Sequence, residues 1–181
     1  MPWSETARRP WVLQQLRARA GLLASIRSVV DVGAGAGTWH TFLSPYLPNA
    51  WWTAVEIWEP YVERFKLPER YDEVLVSDIR SLIPLPDADL YLFGDVLEHM
   101  PPIDAVEVWR RAREAASWLV LAIPVMPCPQ GPFEGNIHEI HQADWDLPGV
   151  LESFPGIVAY VGPPAVPPGA VAGAFIAEGL A

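Results

Sequence analysis

The segment Val29-Val30-Asp31-Val32-Gly33-Ala34-Gly35-Ala36-Gly37 constrains this chain more than any other. Its valines favour a buried strand, and that strand runs straight into glycines at every second position. Glycine is needed where a backbone bends into the left-handed region, or where a ligand must approach without a Cβ in the way. A strand, a glycine turn and then a helix place a nucleotide-like ligand at the carboxyl edge of a parallel sheet. The spacing narrows the ligand. A dinucleotide fingerprint G-x-G-x-x-G needs a glycine at position 38, where the chain has Thr38, so an NAD site fits less well. No Lys-Ser/Thr pair follows the turn, which excludes a phosphate-cradling P-loop.

The rest of the chain supplies the alternation such a turn requires. Short apolar runs at 28–32, 51–57, 73–76, 90–93 and 118–123 read as strands. Residues 10–26 read as an amphipathic helix, with Pro10 in its first turn and Val12, Leu13, Leu16, Ala20 and Leu23 at helical spacing. Further helices are expected at 39–46, 59–66, 103–116 and 144–153, with a polar, glycine-containing loop at 124–142. Two last strands, 157–161 and 171–177, flank the link GPPAVPPG. That link is too short and too proline-rich for a helical crossover, so the final pair is expected to be antiparallel. The five earlier strands, separated by helices, imply a parallel α/β sheet in a single domain spanning 1–181.

Composition bounds the partners. Hydrophobic residues make up 51% and charged residues 19%, a globular balance. The formal net charge of -10 repels phosphate backbones, so nucleic acid is not an expected partner. A single cysteine, Cys128, excludes an internal disulfide and a cysteine-rich zinc site. No apolar stretch approaches the roughly 20 residues of a bilayer span, and the first residues show no apolar signal core. A cytoplasmic protein acting away from membranes is expected, with self-association open. Residues 1–27 gather Arg8, Arg9, Arg17, Arg19 and Arg27 against one acid, Glu5. Such a cluster is either the solvated face of a helix or a basic flap over an anionic substrate.

Each of the next two strands ends in an acid. Glu56 closes the second, where a carboxylate can accept both hydroxyls of a ribose. Asp78 closes the third, where a carboxylate can accept an exocyclic amine, and Ile57, Trp58 and Ile79 are placed to sandwich a base. Asp31 with Gly33, Gly35 and Gly37, then Glu56, then Asp78 together resemble the class I S-adenosylmethionine-dependent methyltransferases. The resemblance implies a Rossmann-like, mostly parallel seven-stranded sheet with a final antiparallel hairpin and helices on both faces. It also implies S-adenosyl-L-methionine as cofactor. Asp31, Gly33, Gly35, Gly37 and Asp95 would then lie on its methionine side, Glu56 and Ile57 at its ribose, and Asp78 and Ile79 at its adenine.

The fourth strand runs into Asp95-Val96-Leu97-Glu98-His99, which looks like a segment of many small-molecule methyltransferases and departs from the [DNS]-P-P-[YFW] motif of base N-methylation. His99 is a candidate general base. The loop after the fifth strand carries His138, Glu139, His141 and Trp145. His141 is expected to join His99 in catalysis, flanking the methyl group on the cofactor side of the sheet. Glu98, His138 and Trp145, with Glu139, are candidate substrate contacts. No metal is assigned, although Asp95, Glu98 and His99 share the i, i+3, i+4 spacing of one helical face and would allow Mg²⁺ or a similar ion. The expected activity is O-methylation of a small molecule or glycan. Metal-assisted 2′-O-methylation of a nucleic-acid end, and a non-catalytic cofactor-binding partner subunit, stand as alternatives.

Overall fold

The computed structural model describes residues 6–162 and 172–181. Five strands run parallel: β1 (Ser28–Val32), β2 (Trp51–Glu56), β3 (Glu73–Val76), β4 (Ala88–Gly94) and β5 (Ala116–Pro124). β6 (Ile157–Val161) and β7 (Ala172–Glu178) close the sheet, β7 lying antiparallel to both β5 and β6. The order is β3-β2-β1-β4-β5-β7-β6. The expected seven-stranded, mostly parallel α/β sheet with a final antiparallel pair is therefore present. The link between its last strands lies, from residue 163 to 171, outside the described residues.

Both faces of the sheet are buried, which is why the central strands are almost wholly apolar. In β4, Tyr91 and Phe93 point to one core and Leu90 and Leu92 to the other, all fully buried. The first core is covered by α5 (Pro102–Ala115) and α6 (Leu147–Ser153). The second is covered by α1 (Arg9–Ala18), α2 (Leu22–Ser25), α3 (Thr38–Leu43) and Val62 of α4 (Glu59–Arg64). The chain leaves β1 toward β2 and β3, then returns to β4 on the other side of β1. That reversal opens a crevice beyond the carboxyl ends of these strands.

The helix expected over 10–26 is two helices. Gly21, at φ 77 in the left-handed region, separates α1 from α2. The arginine-rich segment is also no flap. Val12, Leu13 and Leu16 bury one face of α1, and Arg8 Nε donates to the Ala172 carbonyl of β7 at 2.7 Å. Arg17 stacks over Tyr46 at 4.7 Å and Arg19 over Trp118 at 5.1 Å. Aliphatic stems and cation–π contacts fasten these cations to the domain. Two helix boundaries shift for local reasons. α3 tightens into a 3-10 turn at Ser44–Tyr46, which contains Pro45, and α6 begins only after Asp146, whose side chain caps Gly149 N–H at 2.7 Å. No helix among the described residues is long and apolar enough to cross a membrane.

Trp109 centres the first core. It is fully buried, packs on Phe93 at 5.9 Å and Phe154 at 5.5 Å, and donates Nε1–H to the Pro155 carbonyl at 3.0 Å. Trp109→Ala is expected to cost about 3–5 kcal/mol in urea unfolding. Trp51→Ala, at a side chain 55% exposed on the edge of β2, is expected to stay within about 0.5 kcal/mol of the parent.

Candidate active site

A solvent-open cleft occupies that crevice. Gly33, Gly35, Glu56, Ile57, Asp78, Ile79 and Asp95 line it. The glycine turn has the shape its composition requires: Gly33, Gly35 and Gly37 sit at φ 63, 50 and 64. A Cβ on Gly33 would come within 2.6 Å of a Val96 methyl. Gly33 N–H donates to the Val55 carbonyl at 2.8 Å, and Gly35 N–H donates to Glu56 Oε2 at 2.8 Å. Trp58 N–H donates to Glu56 Oε1 at 2.9 Å. Burial pushes the Glu56 carboxyl up, against the pull of these N–H groups. A carboxylate accepts about four hydrogen bonds, so Glu56 keeps acceptor capacity for a ligand diol.

Asp78 is differently placed. Burial alone would raise its pKa, but Arg80 holds it below the usual range. Arg80 gives it N–H at 2.9 Å, Nε at 3.0 and 2.9 Å, and Nη2 at 2.6 Å. Arg80 also reaches Asp104 at 3.1 Å. Three N–H groups of Arg80 thus occupy most of the acceptor capacity of Asp78 and compete with a ligand amine for this carboxylate. The apolar wall beside it, formed by Ile79 and Ile57, is already in place.

At the other end of the cleft, Asp95 follows β4 at φ 55 and leads into a 3-10 turn, Leu97–His99. The loop after β5 is clasped to that turn. Gln142 and Ala143 N–H both donate to the Glu98 carbonyl, at 2.8 and 3.2 Å, and Gln142 Nε2 donates to the His99 carbonyl at 2.7 Å. The clasp brings His99 and His141 together edge to face, ring centres 4.7 Å apart. His99 lines the cleft, and His141 lines an adjoining hollow with Gln130 and Asp144. His99 Nδ1 faces the Ile140 carbonyl at 3.4 Å, and His141 Nδ1 faces that of Cys128. Burial lowers His99 to about 4, with His141 adding to the effect, and burial also lowers His141. Glu98 is 1% exposed, and burial beside Asp95 pushes its carboxyl well up. His138 lines the cleft opposite, 6.0 Å from Trp58.

No family model matches the sequence. Among curated proteins, a trans-aconitate 2-methyltransferase of Mycobacterium sp. (strain KMS) is 32% identical over 126 residues, covering 68% of this chain and 46% of that protein. The chain thus spans about half the length of the curated relatives it matches. Among solved structures, a putative O-methyltransferase from Nostoc punctiforme superposes with a TM-score of 0.68 at 14% identity, over 94% of this chain and 55% of that one. The N-terminal domain of EvdMO1 with S-adenosylhomocysteine bound gives 0.68 at 11% identity, over 98% and 83%. The chain has the class I methyltransferase fold.

Within this methyltransferase fold, five expected site residues stand away from the cleft wall: Glu98 and His141, already described, with Trp145, Gly37 and Asp31. Trp145 is 9% exposed and packs on Phe154 at 4.9 Å; its large apolar surface completes the first core beneath the loop instead of facing a substrate. Gly37 opens α3, and a Cβ there would strike the Arg70 guanidinium at 2.6 Å. Asp31 lies beneath the glycine turn, accepting Tyr71 O–H at 2.6 Å. In the other direction, Tyr61, Asn136 and Gln142 line the cleft without having been read from the sequence. Tyr61 O–H donates to Glu139 Oε1 at 3.0 Å, and Gln130 Nε2 donates to Glu139 Oε2 at 3.1 Å. A tyrosine inside an amphipathic helix carries no signal that separates a cleft wall from core.

Burial raises the Asp31 carboxyl to about 7, while the Tyr71 hydrogen bond opposes that rise. The folded value lies above the unfolded one, about 3.9, so the ionised form is the destabilising one. Its cost is absent below pH ~4, grows through the window from about 4 to about 7, and is complete above it. Asp31→Asn keeps an acceptor for Tyr71 and removes the charge. Its stability relative to the parent is expected to climb across that window by a few kcal/mol, on the order set by the shift. Thermal melts of both proteins from pH 4 to 8 check this; a constant difference would show that Asp31 does not titrate there.

Proposed function

We propose that this chain is an S-adenosylmethionine-dependent methyltransferase that methylates a hydroxyl of a small molecule or glycan. The observation that carries the reading is the convergence of the glycine turn, Glu56, Ile57 and Ile79 on one cleft whose far end is bounded by Asp95 and His99. When bound, S-adenosylmethionine supplies a methyl group already activated on a sulfonium, so the protein's work is binding and alignment. Gly33 and Gly35 give the ligand close access to backbone. Glu56 accepts its ribose hydroxyls, and Ile57 and Ile79 hold the base. The loop around Asn136 and Glu139 leans over the cleft and limits water. His99 and His141, each with Nδ1 turned to a carbonyl, keep Nε2 lone pairs beside the acceptor end.

The acceptor is read as a neutral hydroxyl, not as the tricarboxylate in the name of the mycobacterial relative. Glu56, Asp78, Asp95 and Glu139 line the cleft, and its one lining arginine, Arg80, is held by Asp78 and Asp104. A polyanion entering there meets like charge. The same argument, with the net charge of -10, weighs against a nucleic-acid substrate.

Calorimetry is expected to show binding of S-adenosylhomocysteine and none of NAD; preferential NAD binding would overturn the reading. Glu56→Ala is expected to weaken S-adenosylhomocysteine by about 1.5–3 kcal/mol, the scale of hydrogen bonds to a charged group. In a turnover assay with hydroxylated acceptors, His99→Ala is expected to lower the rate by roughly 10²–10⁴-fold with cofactor affinity unchanged. Cofactor binding with no turnover on any acceptor would indicate a binding subunit instead.

A further inference from the structure

We propose that Glu98, His99 and His141 bind one divalent transition-metal ion in the wall between the cleft and the adjoining hollow. One ligand atom from each of the three lies within 4.8 Å of the others. This is close enough for a shared ion at the usual 2.0–2.2 Å bond lengths after small side-chain adjustments. The decisive member is Glu98. Its side chain is 1% exposed, and among the described residues neither carboxylate oxygen has a hydrogen-bond partner. A buried carboxyl left without a hydrogen-bond partner among the described residues is costly, and a bound cation would offset that cost.

The histidines are prepared for the same role. A carbonyl oxygen only accepts, so the Nδ1 atoms facing Ile140 and Cys128 carry the protons, and each Nε2 keeps its lone pair. Metal-bound histidines are typically oriented in this way by a carbonyl behind them. The ligands come from two separate segments, after β4 and after β5. The backbone clasp from Gln142 and Ala143 to Glu98, and from Gln142 to His99, holds those segments in register before any ion arrives.

The donor set selects the class of ion. Two imidazole nitrogens and one carboxylate suit Zn²⁺, Fe²⁺ or Co²⁺. Mg²⁺ prefers oxygen ligands and keeps its waters. The Mg²⁺ set suggested by the spacing of Asp95, Glu98 and His99 is thus replaced: Asp95 lines the cleft, and His141 takes its place beside Glu98. Three protein ligands leave positions open, and His99 is the ligand that borders the cleft. An acceptor hydroxyl or water on an open position would be acidified by the ion. That role rests on the methyltransferase reading; ion binding itself does not.

The test is titration of the chelator-stripped chain with Co²⁺, Zn²⁺ and Mg²⁺ in the absence of any cofactor. One equivalent of Co²⁺ is expected to bind with visible d–d absorption, to be displaced by Zn²⁺ and to be untouched by equimolar Mg²⁺. Glu98→Gln and His141→Ala are each expected to weaken Co²⁺ by at least ~10-fold. His141 is half-buried, so its variant keeps the test open if the Glu98 variant fails to fold. No Co²⁺ absorption in the parent, or equal binding by the His99→Ala/His141→Ala double variant, would overturn the proposal. A parallel titration with S-adenosylhomocysteine separates the two readings. Cofactor binding without metal binding removes only the ion, and metal binding without cofactor binding removes only the cofactor.

Discussion

Glu56 ends β2 with its carboxylate buried between two backbone N–H groups, that of Gly35 from the turn after β1 and that of Trp58 just before α4. Much of the site hangs on this bidentate anchor. On one side it fixes a turn that only glycine adopts without strain, and it brings Gly33 so close to Val96 that a Cβ would not fit between them. The ends of β1, β2 and β4 are thereby pressed together. On the other side it sets the start of α4, whose Tyr61 bonds Glu139, which in turn accepts from Gln130. An unbroken run of polar contacts thus leads from the floor of the cleft to the loop that overhangs it. The loop is positioned by the same residue that is read as the ribose acceptor.

What the sequence discloses and what it hides follow a physical line. The strands are legible because a sheet buried on both faces demands apolar runs, and Leu90 to Phe93 carries nothing else. The glycine turn is legible because its run of positive φ values favours glycine at each of the three positions. The meeting of His99 with His141, 42 positions apart, is legible from topology alone, since β4 and β5 are neighbours and their outgoing loops share a rim. Side-chain pairing is where legibility stops. Nothing in the spacing tells that Arg80 folds back on Asp78 two residues earlier, or that Trp145 turns into the core. Arg8 and Arg9 read as surface charge, yet they are buried against backbone carbonyls of Ala172 and Thr38. In each case the outcome depends on a tertiary partner, and a long or amphipathic side chain accepts several.

The two ends of the cleft differ in how completely their polar groups are satisfied. At the end read as the nucleotide side, Glu56 and Asp78 are both hydrogen-bonded within the fold. Glu56 is held by backbone N–H groups, and Asp78 mostly by the Arg80 side chain. At the end read as the acceptor side, Glu98 is buried with no hydrogen-bond partner among the described residues. An unsatisfied buried carboxyl is retained in a fold only where something offsets it.

Electrostatics points the same way. Asp95 and Glu139 both act on Glu98, and burial lowers the affinity of His99 and His141 for protons. Burial thus disfavours the charged form of both imidazoles. Imidazoles whose Nδ1 atoms face carbonyls, beside a carboxyl with no hydrogen-bond partner among the described residues, form a set suited to a metal. The end of the cleft that we read as the acceptor side thus holds the buried carboxyl left unsatisfied among the described residues, and its chemistry turns on what satisfies that group.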